Sequence, residues 1–407
     1  MKSSTKLVRI NLHISKIGYT TGTALKDIQN QNVMVFTKTA IMPYNPAFRP
    51  KGRHSTVKSV GIKSFNNNSE AVKARNSRRK YLLLDSEVPS ELRTPHIVRG
   101  YRYWNLSVVE SLKSLFYGTN ETINVWSHAI AFVLFVLRFY TVFSWKDHQA
   151  ILNPLLAFAL SILVLMATSS LAHLFCSLST RAHHIGYYFD YAAISFYAFC
   201  GALMYFFYCR PLGEEAPFIF QSALAFHVVA AVSSVACTAV NCISRHRWHK
   251  SKFVIRTFTV AVNFLFDISP YAYRWLTCGA NSCFSSEHYF KRHLVCYLVS
   301  AIANATKLPE RLIPGVFDFL GQSHHFLHVL SAFGAADAFT TAQIDLRERR
   351  HDLVQFTPHR WFENSLLWMA AVFVLNFSLV VFFIAIRIDK QKGKNEAITK
   401  NTNDHQE

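Results

Sequence analysis

The chain has 407 residues, 51% of them hydrophobic, and Phe alone supplies 35. Its formal charge is +19, and residues 1–103 carry 19 Lys/Arg against 5 Asp/Glu, so most of the excess lies at the N-terminal end. This pattern argues against an ordinary soluble domain. After residue 124 the apolar residues gather in runs of about 20, the length that crosses roughly 30 Å of hydrocarbon as a helix. A basic tail could meet nucleic acid, but no recognition motif accompanies it, so no nucleic-acid partner is expected. Retention on the cytoplasmic side fits better, because Lys and Arg accumulate there beside anionic lipids.

Met1 to Ala40 lacks the compact apolar stretch of a secretory signal. Its basic, acid-free first 20 residues leave a transit peptide as the alternative. Residues 1–98 read as a basic, largely disordered cytoplasmic tail, as in NNNSEAVKARNSRRK from Asn66 to Lys80. Over 99–123, Val108, Leu112, Leu115 and Phe116 recur at helical spacing and predict an amphipathic helix on the membrane surface. Eight apolar segments follow, near 124–144, 151–176, 187–209, 217–243, 253–274, 288–306, 320–342 and 362–386. The expected fold is all-α, a multi-pass transmembrane bundle. A seven-helix core spans 124–343, a loop and an eighth span occupy 344–386, and a polar tail covers 387–407.

The connecting segments orient this bundle. STRAHHIG and SRHRWHKSK are basic, whereas RPLGEEAP carries Glu214 and Glu215. Counted from a cytoplasmic N-terminus, the basic loops fall inside and the acidic one outside. The segment 343–361 falls outside yet holds Arg347, Arg349 and Arg350, partly offset by three acids. Cys278 and Cys283 lie on the outer side, where a disulfide can persist. Spacing alone allows either a bond or two free thiols. The remaining cysteines read mostly as small buried hydrophobes.

Polar side chains inside a bilayer are costly unless partnered, so their positions are informative. Ser169 and His173 lie four apart near the inner end of the second span. Asp190 opens the third, and Ser323, His324 and His328 open the seventh. These sets share one depth. His324 and His328 lie one turn apart on one helix face, and His173 on a facing helix could complete a three-histidine zinc site with one open position. Asp190 could then orient a water or take its proton, and Ser169 could donate to a substrate carbonyl. The plainer reading, satisfied interfacial histidines, stays open on the residues alone. His128, with Asn124 and Trp126, opens the first span. His325 points about 100° away from its neighbour His324 and reads as a bystander. Arg138 is expected to snorkel outward, and Asp267 and Asp337 to pair within the bundle.

Five stretches carry a resemblance: GYR at Gly100–Arg102, NETINVWSH at Asn120–His128, SSLAHLF at Ser169–Phe175, FDYAAIS at Phe189–Ser195 and GQSHHFLH at Gly321–His328. In this order they resemble the progestin and adipoQ receptor family, which includes adiponectin receptors and haemolysin III-like proteins. The departures, WSH for the usual WTH and SHHFLH for SHQxFH, remove no proposed ligand. Within the family the span two–three text and the extra C-terminal segment look most like the membrane progestin receptors. The resemblance implies a cytoplasmic N-terminus and zinc on His173, His324 and His328, with Asp190 and Ser169 beside it. It also implies a plasma-membrane receptor responsive to a steroid or sphingolipid and signalling through G proteins. The alternative it carries is a ceramidase-like zinc amidase.

Overall fold

The structure is a computed structural model that describes residues 82–143, 149–213, 216–248, 250–278 and 284–403, with side chains described as far as Ile386. Most of the expected N-terminal tail therefore lies outside the described residues. Its last part, 82–98, does not. Strand β1 (Leu83–Leu84) pairs antiparallel with β2 (Arg99–Tyr101), and Leu83, Val88, Ile97 and Tyr101 bury one another in a small core. The Asp318 carboxylate accepts from the backbone N–H groups of Val98 (3.0 Å) and Arg99 (3.1 Å), tying this segment to the chain ahead of the seventh long helix.

In the segment 99–123 the short helix forms only over Val108–Phe116, the stretch that carries the apolar spacing. Gly100 and Asn105 take positive φ values of 89° and 69°, which an α-helix does not accommodate. Helix α1 (Val108–Lys113) starts only at Ser107, whose hydroxyl caps Glu110 N–H while the Glu110 carboxylate returns to Ser107 N–H. The apolar spacing was read correctly, but it says nothing about φ.

The long helices follow in order: α2 (Thr122–Val142), α3 (Asn153–Phe175), α4 (Thr180–Cys209), the single turn α5 (Phe218–Gln221) and α6 (Ala223–Ser244). Then come α7 (Lys252–Asp267), α8 (Ser269–Thr277), α9 (Glu287–Thr306), α10 (Ser323–Glu348), α11 (Arg350–Phe356) and α12 (His359–Asn403). Local signals set their ends. Ser179 and Ser222 cap α4 and α6, and Pro154 sits in the first turn of α3, where its missing N–H costs nothing. Pro270 does the same for α8 but cannot continue α7, so the two meet at a 58° bend.

Among the described residues, five helices are long and apolar enough to cross a membrane, and the bent α7–α8 pair makes a sixth. All eight expected segments are helical. The two others, α9 and α10, are long but more polar, because their inward faces carry groups such as His293, Asp337 and Asp345. The chain is thus an all-α, multi-pass helical membrane protein. Helix α4 runs through its centre, with 89% of its apolar window buried against the neighbouring helices. The eighth segment is part of the packing: Asn376 of α12 donates to Ser234 Oγ (3.0 Å) and accepts from Thr238 Oγ1 (2.5 Å), both on α6.

Three further expectations change. The segment 343–361 is mostly helix, not loop, and Arg349 donates to the carbonyls of Tyr208 (2.7 Å) and Arg210 (2.9 Å) at the end of α4. That arginine reports on helix capping rather than on sidedness. Arg138 turns inward, donating to Ala336 O, Thr340 Oγ1 and Gln343 Oε1 of α10. Asp337 pairs with Arg292 at 3.2 Å, but Asp267 finds no such partner: its Oδ1 is buried without a hydrogen bond among the described residues. Cys278 is disulfide-bonded, and Cys283 lies outside the described residues.

Close packing gives one direct test. A Cβ added at Gly334 of α10 would stand 2.3 Å from the Tyr297 ring of α9, which is itself fixed by a 2.8 Å hydrogen bond to Tyr197. Gly334→Ala should therefore cost about 1–3 kcal/mol, read as a lower melting temperature of the detergent-purified protein. Gly118→Ala, where a Cβ meets nothing within 4 Å, should melt like the parent.

Candidate metal centre

Four helix ends converge on one point: the starts of α2 and α10, the last turn of α3 and the third turn of α4. The i,i+4 spacing of His324 and His328 places both rings on one face of α10, opposite His173. Ring centroids are 4.9 Å apart for His173–His324, 4.9 Å for His173–His328 and 4.7 Å for His324–His328. One nitrogen from each ring lies within 4.8 Å of the other two, a set that could hold a metal ion. The Nε2 atoms of His173 and His324 are 3.1 Å apart. Two nitrogens bound to one tetrahedral zinc at 2.0–2.1 Å stand roughly 3.4 Å apart, so little movement separates this geometry from a zinc site.

The other ring nitrogens are already committed. His173 Nδ1–H donates to Glu121 Oε2 at 2.7 Å, and His328 Nδ1–H donates to the Asn124 carbonyl at 3.0 Å. Each contact fixes the ring and turns Nε2 toward the cluster, the usual arrangement behind a metal-bound imidazole. Burial alone would push the Glu121 carboxyl upward. The facing His173, with the Asn124 amide (2.8 Å) and the Arg102 guanidinium, overrides burial and holds it well below the ordinary carboxylate range.

Glu121 was not singled out in the sequence, although the signal was present. Glu121, Asn124 and His128 are spaced i, i+3, i+7 and share one helix face. Arg102 of the GYR stretch is a second residue whose part was not foreseen. It donates to Leu174 O (2.8 Å), Ser114 Oγ (3.0 Å) and His173 O, so it caps the end of α3 that carries His173.

Asp190 is buried beside Ser169 and His173. Its Oδ1 has no hydrogen-bond partner among the described residues, an oxygen that protein alone leaves unsatisfied. His173, His324, His328, Asp190 and Ser169 all line one cavity of about 1190 Å³, together with apolar side chains such as Leu165, Ile194, Phe264 and Leu298. Ser323 and His128 line it too, in other roles, whereas His325 and Trp126 do not. The Ser323 N–H and hydroxyl both go to Glu310, which caps α10. His325 faces the other way and accepts from Gly321 N–H at 3.1 Å. His128 stacks on His328, centroids 3.8 Å apart, and supports that ring. Trp126 points outward and donates to Leu115 O.

Comparison with known proteins places the chain in a family. The Haemolysin-III related family profile matches residues 116–338, which contain all three histidines as well as Glu121, Ser169 and Asp190. The chain is 33% identical over 321 residues to membrane progestin receptor gamma-B of Danio rerio, across 73% of this chain and 91% of that protein. It is 33% identical over 314 residues to membrane progestin receptor delta of Mus musculus, across 75% and 90% respectively. Identity to human membrane progestin receptor beta is 29% over 281 residues. The chain therefore belongs to the haemolysin-III-related family, the progestin and adipoQ receptor family that its motifs resemble.

Proposed function

We propose that this protein is a receptor for a steroid or related lipid, of the progestin-receptor kind, that carries a signal across the plasma membrane. The observation behind this reading is the cavity. At about 1190 Å³ it exceeds the roughly 300–1,000 Å³ usual for small-molecule pockets, and its walls come from at least six helices. A ligand touching so many helices can favour one packing over another, which is what a conformational signal requires. The name shared by the relatives points the same way. G proteins on the cytoplasmic side are the partners this reading brings.

The N-terminus is cytoplasmic on this reading. An epitope tag near residue 10 should be invisible to antibody on intact cells and visible after permeabilisation. Staining of intact cells would overturn the orientation.

The histidines form part of the proposal. The donor set, three imidazoles with two rings oriented by hydrogen bonds, fits Zn²⁺ held by His173, His324 and His328. When bound, such an ion supplies a Lewis acid with one open coordination position. Metal analysis of purified protein should find about one zinc per chain. His173→Ala, His324→Ala and His328→Ala should each lose it, and His325→Ala should retain it. Equal loss in His325→Ala would overturn the assignment.

The unpaired Asp190 oxygen supports a second activity at the same site, hydrolysis of a ceramide-like amide. Asp190 has an open oxygen to take a proton from an attacking water, and Ser169 is a hydroxyl beside it that can donate to a substrate carbonyl. General-base contributions are typically about 10²–10⁴-fold in rate. Asp190→Asn should therefore keep zinc, surface expression and steroid binding while losing most ceramide turnover. A zinc-loaded, steroid-competent parent that turns over no ceramide would leave the receptor reading alone.

A further inference from the structure

The cavity is lined by more than histidines and apolar groups. Four basic side chains also face it: Arg245 after α6, Lys252 and Arg256 on α7, and Lys307 at the end of α9. Two aromatic rings hold them close together. The charges of Lys307, Lys252 and Arg256 lie 4.3, 5.2 and 5.8 Å from the Phe253 ring centre. No two of these three are therefore more than about 11 Å apart. Arg256 and Arg245 also share the Tyr191 ring, at 5.1 and 6.0 Å.

None of the four forms an ion pair among the described residues. Their hydrogen bonds go to neutral groups. Arg245 donates to Tyr191 OH (2.9 Å) and His184 Nδ1 (3.2 Å), Arg256 to Ser244 Oγ (2.7 Å) and Lys307 to Asn304 Oδ1 (2.8 Å). The carboxylates on the cavity wall have hydrogen-bond partners outside this cluster, Glu91 with His184, Glu121 with His173 and Glu310 with Ser323, although the Glu310 charge also reaches Lys307. Asp190 lies beside Ser169 and His173. Lys307 is only 8% exposed. Burial pushes its pKa down to about 8; Glu310 opposes the shift, and Arg256 and Lys252 add to it. A concentration of like charge in a half-enclosed space is unfavourable until a counter-charge enters.

The face of α7 continues the pattern. Lys252, Arg256, Val260 and Phe264 follow one another at i+4 and all line the cavity. One helix face thus passes from charged to apolar, and Arg256 and Phe264 are about 12 Å apart along the axis. Leu294 and Leu298 of α9 also line the cavity.

We propose that Arg245, Lys252, Arg256 and Lys307 form an anion site inside the cavity. It receives the phosphate, sulfate or carboxylate headgroup of a lipid whose apolar body lies along Val260, Phe264, Leu294 and Leu298. The inference rests on the reading that this cavity takes a lipid, but on neither zinc nor turnover.

The test uses the full chain in zwitterionic nanodiscs and reads equilibrium binding of three probes. They are an octadecenoyl lysophosphatidate, the uncharged monoacylglycerol with the same chain, and inorganic phosphate. The anionic lipid should bind about tenfold or more tighter than the uncharged one, because charge-assisted hydrogen bonds are roughly twice as strong as neutral ones. The double substitution Arg256→Gln, Lys307→Gln should abolish that advantage and leave monoacylglycerol binding unchanged. Lys307→Gln alone should reduce the advantage, and it serves if the double variant is not monodisperse. Arg311→Gln, outside the cavity wall, should have no effect. Equal affinity for the two lipids, or an advantage that survives the double substitution, would overturn the site while leaving the lipid cavity standing. Binding of neither lipid would overturn both. Phosphate binding as tight as the lysophosphatidate would make this a site for a soluble anion and overturn the lipid assignment.

Discussion

A polar side chain in hydrocarbon can turn only to another part of the same protein, so each such group constrains the helix that carries it. Glu121 shows how far this reaches. Its carboxylate holds His173 on one side and Asn124 on the other, joining the end of α3 to the start of α2. The Asn124 carbonyl in turn takes the Nδ1–H of His328 on α10. Three helices are thus set at one level by a chain of three hydrogen bonds. The placement of the His173 and His328 rings follows from that chain, and the i,i+4 spacing on α10 adds His324.

The same economy governs the helix ends. Arg102 occupies the carbonyls that close α3, Arg349 those that close α4, and Glu310 the N–H and hydroxyl of Ser323 that open α10. Each terminus is served by a charge from a distant part of the chain, so the helix ends are held in mutual register as well as capped. The interior between them stays open. The cavity is lined by the histidines, Asp190 and the basic cluster together.

Much of this was legible in the sequence. The eight apolar runs all became helices, because runs of that length have few alternatives in hydrocarbon. His324 and His328 declared a shared face by spacing, and the count of spans brought His173 and Asp190 to their depth. What escaped was whatever depends on φ or on a contact across the fold. Gly100 and Asn105 keep the surface helix from starting before Ser107 through their backbone conformation, which apolar spacing does not encode. Arg138 turned inward because Thr340 and Gln343 of α10 awaited it, and the Ser323 hydroxyl is committed to Glu310 although Ser323 lines the cavity. Such partners are over 10 residues away, and no local pattern announces them. Glu121 was within reach, on the face shared by Asn124 and His128.

The docking of α12 bears on how the protein is made. Asn376 meets Ser234 and Thr238 of α6; Ser234 also donates to the Ser195 carbonyl of α4, whereas Thr238 finds its side-chain partner across helices in Asn376. Since α12 follows α6 by more than 100 residues, α6 must wait through their synthesis before Asn376 can meet it. Helices that insert first and associate afterwards can tolerate such a delay. The packing around α6 is nevertheless unfinished until α12 arrives. Any agent that delays or removes that span leaves an adhesive stripe exposed in the membrane, which chaperones and proteases of the bilayer can recognise.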